Sequence, residues 1–142
     1  MRAFLVALFV FAAPLALGEL APEVYKAMQQ AAPEVLYLEV TEVDIDRDFH
    51  KPSGCGFFEF EVLRNVTAKA KVLRVVRSRS GVRPGAVITV PYQSLRQCSG
   101  FSGARPIPLL EEGMKTYAYL TAARRGFEPA ARGASFSPER GE

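Results

Sequence analysis

The single histidine is the residue best suited to acid–base chemistry, and its neighbours raise the question of a hydrolase. His50 follows Asp48 by two positions, and serines occur in several other segments. A Ser-His-Asp triad is defined by its geometry in space, which a sequence does not supply. The run GFSGA at residues 100–104 lacks the last glycine of a G-x-S-x-G nucleophile elbow, because Ala104 stands there. We therefore predict no catalytic residues and no enzyme activity, with a hydrolase of unrecognised site as an alternative.

Three alternating aspartates, Asp44, Asp46 and Asp48, have the spacing that opens a calcium-binding loop. An EF-hand loop requires glycine at its sixth position and glutamate at its twelfth. This chain has Phe49 and Cys55 at those positions. On a β-strand the three carboxylates would instead line one solvent-facing side. We adopt that second interpretation, and we predict no metal ion and no other cofactor.

A series of basic residues offers a surface for an anionic partner. Outside the cytoplasm the matching anions are an acidic glycan, a lipid head group or an acidic protein surface. Alternatively, these side chains keep the outside of the domain soluble and protect the edges of its sheet. The residues of this series are Lys69, Lys71, Arg74, Arg77, Arg79 and Arg83.

Aromatic residues and a long loop complete the candidate surface. Tyr117 and Tyr119 could form a platform for a sugar or peptide ring together with Tyr92 and Phe101. Tyrosines that alternate on a strand are more often divided between core and rim. Residues 93–107 form a Gly- and Ser-rich loop, and long loops on a rigid domain often carry binding residues. The candidate binding surface consists of Tyr92, Phe101, Arg105, Lys69 and Lys71.

The elements that position these residues are mostly β-strands. A helix is predicted over residues 20–32, because Pro22 suits a first helical turn and Pro33 ends the segment. Period-two alternation of β-branched and aromatic residues then predicts strands that are separated by turns rich in Gly and Pro. The predicted strands are residues 34–45, 57–63, 66–79, 86–92, 115–121 and 127–136.

The strand over residues 66–79 carries the most specific local signal. Its apolar residues occupy even positions up to Val72, and odd positions at Leu73 and Val75. A change of face within one strand predicts a β-bulge, which lets a strand serve two sides of a small barrel. The Pro84-Gly85 pair that follows fits the central positions of a type II turn.

These elements predict an all-β fold, namely a small OB-fold-like barrel of five or six strands with a short N-terminal helix. We see no internal repeat and no second domain. The predicted organisation is a signal peptide at residues 1–18, one barrel domain at residues 19–136 and a disordered tail at residues 137–142.

Residues 66–121 resemble the netrin-like module, the OB-fold barrel of the tissue inhibitors of metalloproteinases. Three motifs carry the resemblance. They are the strand AKAKVLRVVRS, the Gly-x-x-Pro-Gly turn from Gly81 to Gly85 before VITVPY, and the turn PLLEEG before the Tyr-rich strand. The resemblance implies an OB-type barrel and a secreted bacterial relative of this fold. It does not by itself imply inhibition, because one fold supports many functions.

The residues that give those inhibitors their activity have no counterpart here. The inhibitors chelate the protease zinc through a cysteine at the mature N-terminus, whereas no cysteine precedes Cys55 in this chain. The several disulfides of the family are also reduced to one possible bond. The leading prediction is therefore a non-catalytic extracytoplasmic binding module of unknown ligand, with a protease inhibitor as the alternative.

The N-terminus has the three parts of a secretory signal peptide. Arg2 supplies the positive charge, residues 3–13 are apolar, and small residues at positions 16 and 18 precede a cleavage site before Glu19. The alternative is a membrane anchor, but this run is shorter than the roughly 20 apolar residues of a spanning helix and ends at Pro14. We predict a secreted or periplasmic protein with no membrane span after cleavage.

Composition and cysteine count are consistent with a small exported domain. The chain has 142 residues and a formal net charge of +3, too small an excess to suggest nucleic acid as a partner. In an oxidising compartment, Cys55 and Cys98 predict a disulfide worth about 3–4 kcal/mol, and the absence of C-x-x-C argues against a redox pair. The predicted protein is a monomer whose partner is a protein or a glycan.

Overall fold

A computed structural model describes residues 20–52, 60–96 and 104–139 of the chain. The predicted signal peptide, the predicted disulfide between Cys55 and Cys98, and the candidate Phe101 lie outside the described residues. Within the described part of the chain, no helix is both long enough and apolar enough to cross a membrane.

One antiparallel sheet makes up most of the domain. The strands lie in the order β3-β2-β1-β4-β5, and β6 pairs with β4 beside this path. The predicted all-β fold with a short N-terminal helix is therefore confirmed. The elements in chain order are α1 (Pro22–Ala31), β1 (Glu34–Pro52), β2 (Phe60–Ser78), β3 (Val87–Arg96), β4 (Lys115–Ala123), β5 (Gly126–Pro129), the 3-10 helix η1 (Arg132–Ala134) and β6 (Phe136–Ser137).

The sheet curves so that its two end strands meet, but hydrogen bonding among the described residues does not close it into a barrel. β3 and β5 end the strand order. A Cβ added to Gly126 of β5 would lie 2.3 Å from the carbonyl oxygen of Thr89 in β3. β5 has only four residues, and Pro91 on β3 cannot donate to a further ladder. The predicted closed barrel is therefore not formed among the described residues, and β3 and β5 instead meet at the contact of Gly126 with Thr89.

Four strand predictions need correction. Residues 93–96, predicted as the start of the loop 93–107, belong to β3. Residues 47–52, predicted as loop, belong to β1, where Pro52 pairs with Phe60 of β2. The predicted strands 57–63 and 66–79 belong, as far as they are described, to the single strand β2. The last predicted strand divides into β5, η1 and β6. In the long hairpin of β1 and β2, backbone pairing with a neighbouring strand outweighs the weak strand propensity of polar residues.

The predicted irregularity in β2 is confirmed by its pairing with β1. Tyr37 pairs with Arg74 and Leu38 pairs with Val72, so Leu73 is the extra residue of a bulge. A similar shift places Val76 between the partners of Val35 and Leu36. Bulges of this kind increase the local twist of a strand, which suits a sheet that curves around a core.

The turn between β2 and β3 has the predicted type II geometry. The amide of Ala86 donates to the carbonyl oxygen of Arg83 at 3.2 Å. Gly85 has a φ of +88°, the positive value that the third residue of a type II turn requires. Pro84 occupies the second position, where its fixed φ is favourable.

Apolar residues pack on both sides of the sheet. The inner core lies on the concave side and is built largely from β1 to β4, with Leu36, Leu38 and Val40 of β1 at its centre. The outer core is smaller and lies under α1, where Tyr25 packs among Val35, Tyr119 and η1. Among the described residues, α1 covers only part of the outer face, and side chains on the rest of that face, such as Arg74 and Lys71, are exposed.

Candidate binding surface

The open part of the outer face presents aromatic and charged side chains from β1, β2 and β4. Two adjacent rows of side chains run across the sheet, and each row contains one residue from each of these three strands. The first row is Arg74, Tyr37 and Tyr117, and the second row is Lys71, Glu39 and Lys115. We refer to these six residues as the outer-face patch.

The first row fixes a guanidinium group against two tyrosine rings. The ring centroids of Tyr37 and Tyr117 lie 4.8 Å apart with the rings tilted by 45°. The Cζ atom of Arg74 lies 5.7 Å from the centroid of Tyr37 and 5.6 Å from that of Tyr117. The Arg74 guanidinium also donates to the Tyr117 hydroxyl. Cation–π attraction and this hydrogen bond together orient the exposed guanidinium of Arg74 against the half-buried rings of Tyr37 and Tyr117.

The bulge in β2 brings Arg74 to the same face as Lys71. Regular alternation from Lys71 would place Leu73 and Val75 on the outer face and Arg74 on the inner one. The extra residue at Leu73 reverses this order. Val75 instead packs against the inner core, and Arg74 is exposed. The sequence feature that predicts the bulge is therefore the feature that assembles the first row.

The second row adds positive charge. The Nζ atom of Lys115 lies 4.0 Å from Oε1 of Glu39, in an exposed ion pair that is worth little in free energy. Lys71 is exposed on the other side of Glu39. With Arg74, the patch carries three cations and one carboxylate, so it presents an excess of positive charge to solvent.

Of the predicted surface residues, Lys71 belongs to the patch and Lys69 adjoins it. The ammonium of Lys69 forms an exposed ion pair of 2.9 Å with Glu42. Arg77, from the same basic series, donates to the carbonyl oxygen of Gln29 near the C-terminus of α1 at 3.2 Å. The structure thus divides the series between exposed positions on the outer face and a position that contacts α1.

Arg105 and Tyr92 lie elsewhere. The backbone amide of Arg105 donates to the Tyr25 hydroxyl at 2.7 Å, and its guanidinium lies over the Tyr25 ring beside a groove of about 470 Å³. Tyr92 lies in the inner core with 8% of its surface exposed. Its hydroxyl accepts the amide of Leu110 at 3.0 Å, and burial raises the pKa of the phenol. Tyr92 therefore supplies no ring to an open surface.

Sequence reasoning missed Tyr37, Glu39 and Lys115 and included Tyr119, which lies under α1 with 2% exposure. Tyr37 precedes Glu39 by two positions, so their shared face follows from alternation. Their place beside β4 depends on strand register, which a single sequence does not specify.

The described residues hold no group of three or more His, Cys, Asp or Glu side chains arranged to bind a metal ion. In comparisons with known proteins, no protein-family model, no curated protein and no solved structure matches the chain.

Proposed function

We propose that this protein is a non-catalytic, extracytoplasmic binding module whose outer-face patch binds an acidic glycan. One observation carries the proposal: the exposed Arg74 guanidinium is held against Tyr37 and Tyr117, with Lys71 and Lys115 in the adjacent row. The resemblance to the netrin-like module implies a secreted protein, which is consistent with a partner outside the cytoplasm.

The patch offers the two kinds of contact that an acidic sugar needs. A guanidinium binds carboxylate or sulfate groups through paired hydrogen bonds. Tyrosine rings provide a flat apolar surface with a polar tip, against which a sugar ring can pack. Because Arg74 is already oriented by both rings, binding would cost less side-chain entropy than it does for a free arginine.

The lack of large exposed apolar side chains in the patch favours a glycan over a lipid surface. Proteins that lie on membranes insert apolar side chains into the interface. Among the described residues, the large hydrophobic side chains that are exposed all lie outside the patch. They are Val24, Ile45, Val87 and Met114.

The test is binding to a sulfated polysaccharide such as heparin, with neutral dextran as the reference ligand. Arg74→Gln should weaken binding about tenfold, the loss expected when one charged hydrogen-bonding group is removed. Arg83→Gln is the matched control, because Arg83 is an exposed arginine of the β2–β3 turn outside the patch. Affinity for heparin should also fall as salt rises, since exposed charges are screened.

Two results would contradict the proposal. One is an equal loss of heparin binding in Arg74→Gln and Arg83→Gln, which would indicate a diffuse charge effect. The other is binding to acidic phospholipid vesicles with no binding to heparin, which would identify a lipid surface instead. Circular dichroism of both variants checks that the fold is retained.

The proposal includes export and a Cys55–Cys98 disulfide. Pro52 pairs with Phe60, and Val62 pairs with Arg96. The described strand ends nearest to the two cysteines therefore lie at the same end of the sheet, which supports the proposed bond. Intact mass should match a chain that begins at Glu19, and both thiols should react with iodoacetamide only after reduction. A full-length mass with two reactive thiols would contradict both parts.

A further inference from the structure

β1 is much longer than the pairing on one of its two edges. The strand has 19 residues, but β4 pairs only with residues 34–39. The last bonds on this side belong to Val40, whose amide donates to Met114 at 2.9 Å and whose carbonyl accepts from Gly113 at 2.8 Å. Beyond Val40, no strand within the described ranges pairs with this edge.

The backbone groups that face this edge can be identified from the side chains. In a strand, chirality couples the face of a side chain to the edge toward which its N–H and C=O point. Val40 has its side chain in the inner core and its backbone groups at this edge. Val43 also packs against the inner core, so its N–H and C=O point the same way. Ile45 follows two positions later with the same orientation.

The side chains beside these groups indicate the charge of a partner. Asp44 and Asp46 are both exposed. Asp44 lies on the opposite face from Val43 by alternation, and Asp46 is the extra residue of a bulge between Ile45 and Arg47. Their neighbour Glu42 is already paired with Lys69. A second copy of β1 placed antiparallel against this edge would bring like charges together, which is destabilising. A basic segment would place its cations beside the two aspartates instead.

The other face of the same edge provides an apolar contact. Ile45 has 42% of its surface exposed, and it is one of the few large hydrophobic residues in the described chain with such exposure. A segment with alternating basic and apolar residues would therefore match both faces of the strand at once.

We propose that residues 43–46, the open β1 edge, bind an extended basic segment of a partner protein by strand addition. Backbone hydrogen bonds to Val43 and Ile45 would supply the pairing, and Asp44 and Asp46 would select lysine or arginine on the partner. Recognition by strand addition uses main-chain bonds for affinity and alternate side chains for specificity. This site does not depend on the outer-face patch.

The test uses an acetylated and amidated hexapeptide of alternating lysine and valine, titrated into the protein and followed by NMR. Binding should shift the amide signals of Val43 and Ile45 and slow their hydrogen exchange. Ile45→Pro removes one edge donor at a position where proline is tolerated, and it should weaken binding about tenfold. Ile45→Val keeps both the amide and an apolar β-branched side chain, so it should lose much less binding than Ile45→Pro does.

A hexapeptide of alternating glutamate and valine tests the charge requirement, and it should not bind. Equal binding of the lysine peptide to Ile45→Pro and Ile45→Val would overturn strand addition, provided that both variants retain their circular dichroism spectrum. Equal binding of the glutamate peptide would overturn the proposal that the partner segment is basic.

The double variant Asp44→Asn/Asp46→Asn should weaken binding of the lysine peptide. Self-association of that variant, with no peptide binding by the wild type, would show that the carboxylates only prevent pairing.

Discussion

The hydroxyl of Tyr92 accepts the buried amide of Leu110, and its ring lies 5.7 Å from that of Phe136 in the inner core. Burial disfavours the phenolate, and this effect raises the pKa of Tyr92 above its ordinary value of 10.0 although the Leu110 bond acts in the opposite direction. Tyr92 thus stabilises the fold through its hydrogen bond to Leu110, and its raised pKa makes the stability of the protein depend on pH in the alkaline range.

Tyr92→Phe should lower the free energy of unfolding by about 1–3 kcal/mol at neutral pH, because the Leu110 amide loses its acceptor. The same variant should also lose less of its free energy of unfolding as the pH rises above 10.0, because phenylalanine does not ionise. A pKa that is raised in the folded state gives stability that is complete below pH 10.0, the ordinary value, and is lost as pH rises through the folded value. Urea unfolding at neutral and alkaline pH measures both effects. The control is Tyr37→Phe, and equal pH profiles for the two variants would contradict the assignment.

At the residue scale, the sequence predicts side-chain chemistry better than side-chain position. Tyr92 and Tyr117 both alternate with smaller residues on strands, yet one lies in the core and the other on the patch. Lys69 and Lys71 are both exposed, but Lys69 forms an ion pair with Glu42, whereas Lys71 lies beside Glu39 in the patch. These differences depend on which strand lies alongside, and a single sequence does not contain that information.

At the element scale, α1 depends on tertiary contacts. It has 10 residues, fewer than an isolated helix needs in water. Tyr25 is 5% exposed in the outer core, and its hydroxyl accepts the backbone amide of Arg105. This side chain therefore connects the helix to the sheet and to the segment before β4.

Tyr25→Ala should cost about 3 kcal/mol or more, the range for loss of a buried aromatic ring. It should also increase the hydrogen exchange of α1 amides, because the helix loses its main contact. Val24→Ala is the matched control, since Val24 lies next to Tyr25 in the helix but is 38% exposed. Similar losses in the two variants, by urea unfolding, would mean that the helix is not anchored by Tyr25.

Elements with a strong local signal were predicted well. The proline-bounded helix, the type II turn at Pro84-Gly85 and the bulge at Leu73 each follow from local sterics or from a change in alternation. The length of β1 was underestimated, because residues 47–52 include polar residues and a proline that favour a loop. Their strand conformation comes from pairing with β2, which is a tertiary effect.

At the scale of the whole molecule, the alternation of apolar and polar residues was sufficient to predict the all-β fold class. It was not sufficient to predict whether the sheet closes into a barrel. Alternating strands must bury one face, and a small all-β domain follows from that requirement. Whether the end strands pair depends on their length and on the groups at their edges. Here β5 has four residues and begins at Gly126, which has a φ of +114°. The outer-face patch likewise requires three strands in register, so only its basic part was visible in the sequence.

The contact between β3 and β5 can be tested with a pair of glycine variants. Gly85→Ala adds a methyl group at a φ of +88° with nothing within 4 Å, so it should cost only the conformational penalty of about 1–2 kcal/mol. Gly126→Ala adds a similar penalty at its φ of +114° and places Cβ 2.3 Å from the Thr89 carbonyl oxygen. Because backbone must move to relieve this overlap, Gly126→Ala should cost clearly more than Gly85→Ala in urea unfolding. It should also increase hydrogen exchange in β5. Equal losses would show that the meeting of β3 and β5 contributes nothing to the stability of the curved sheet.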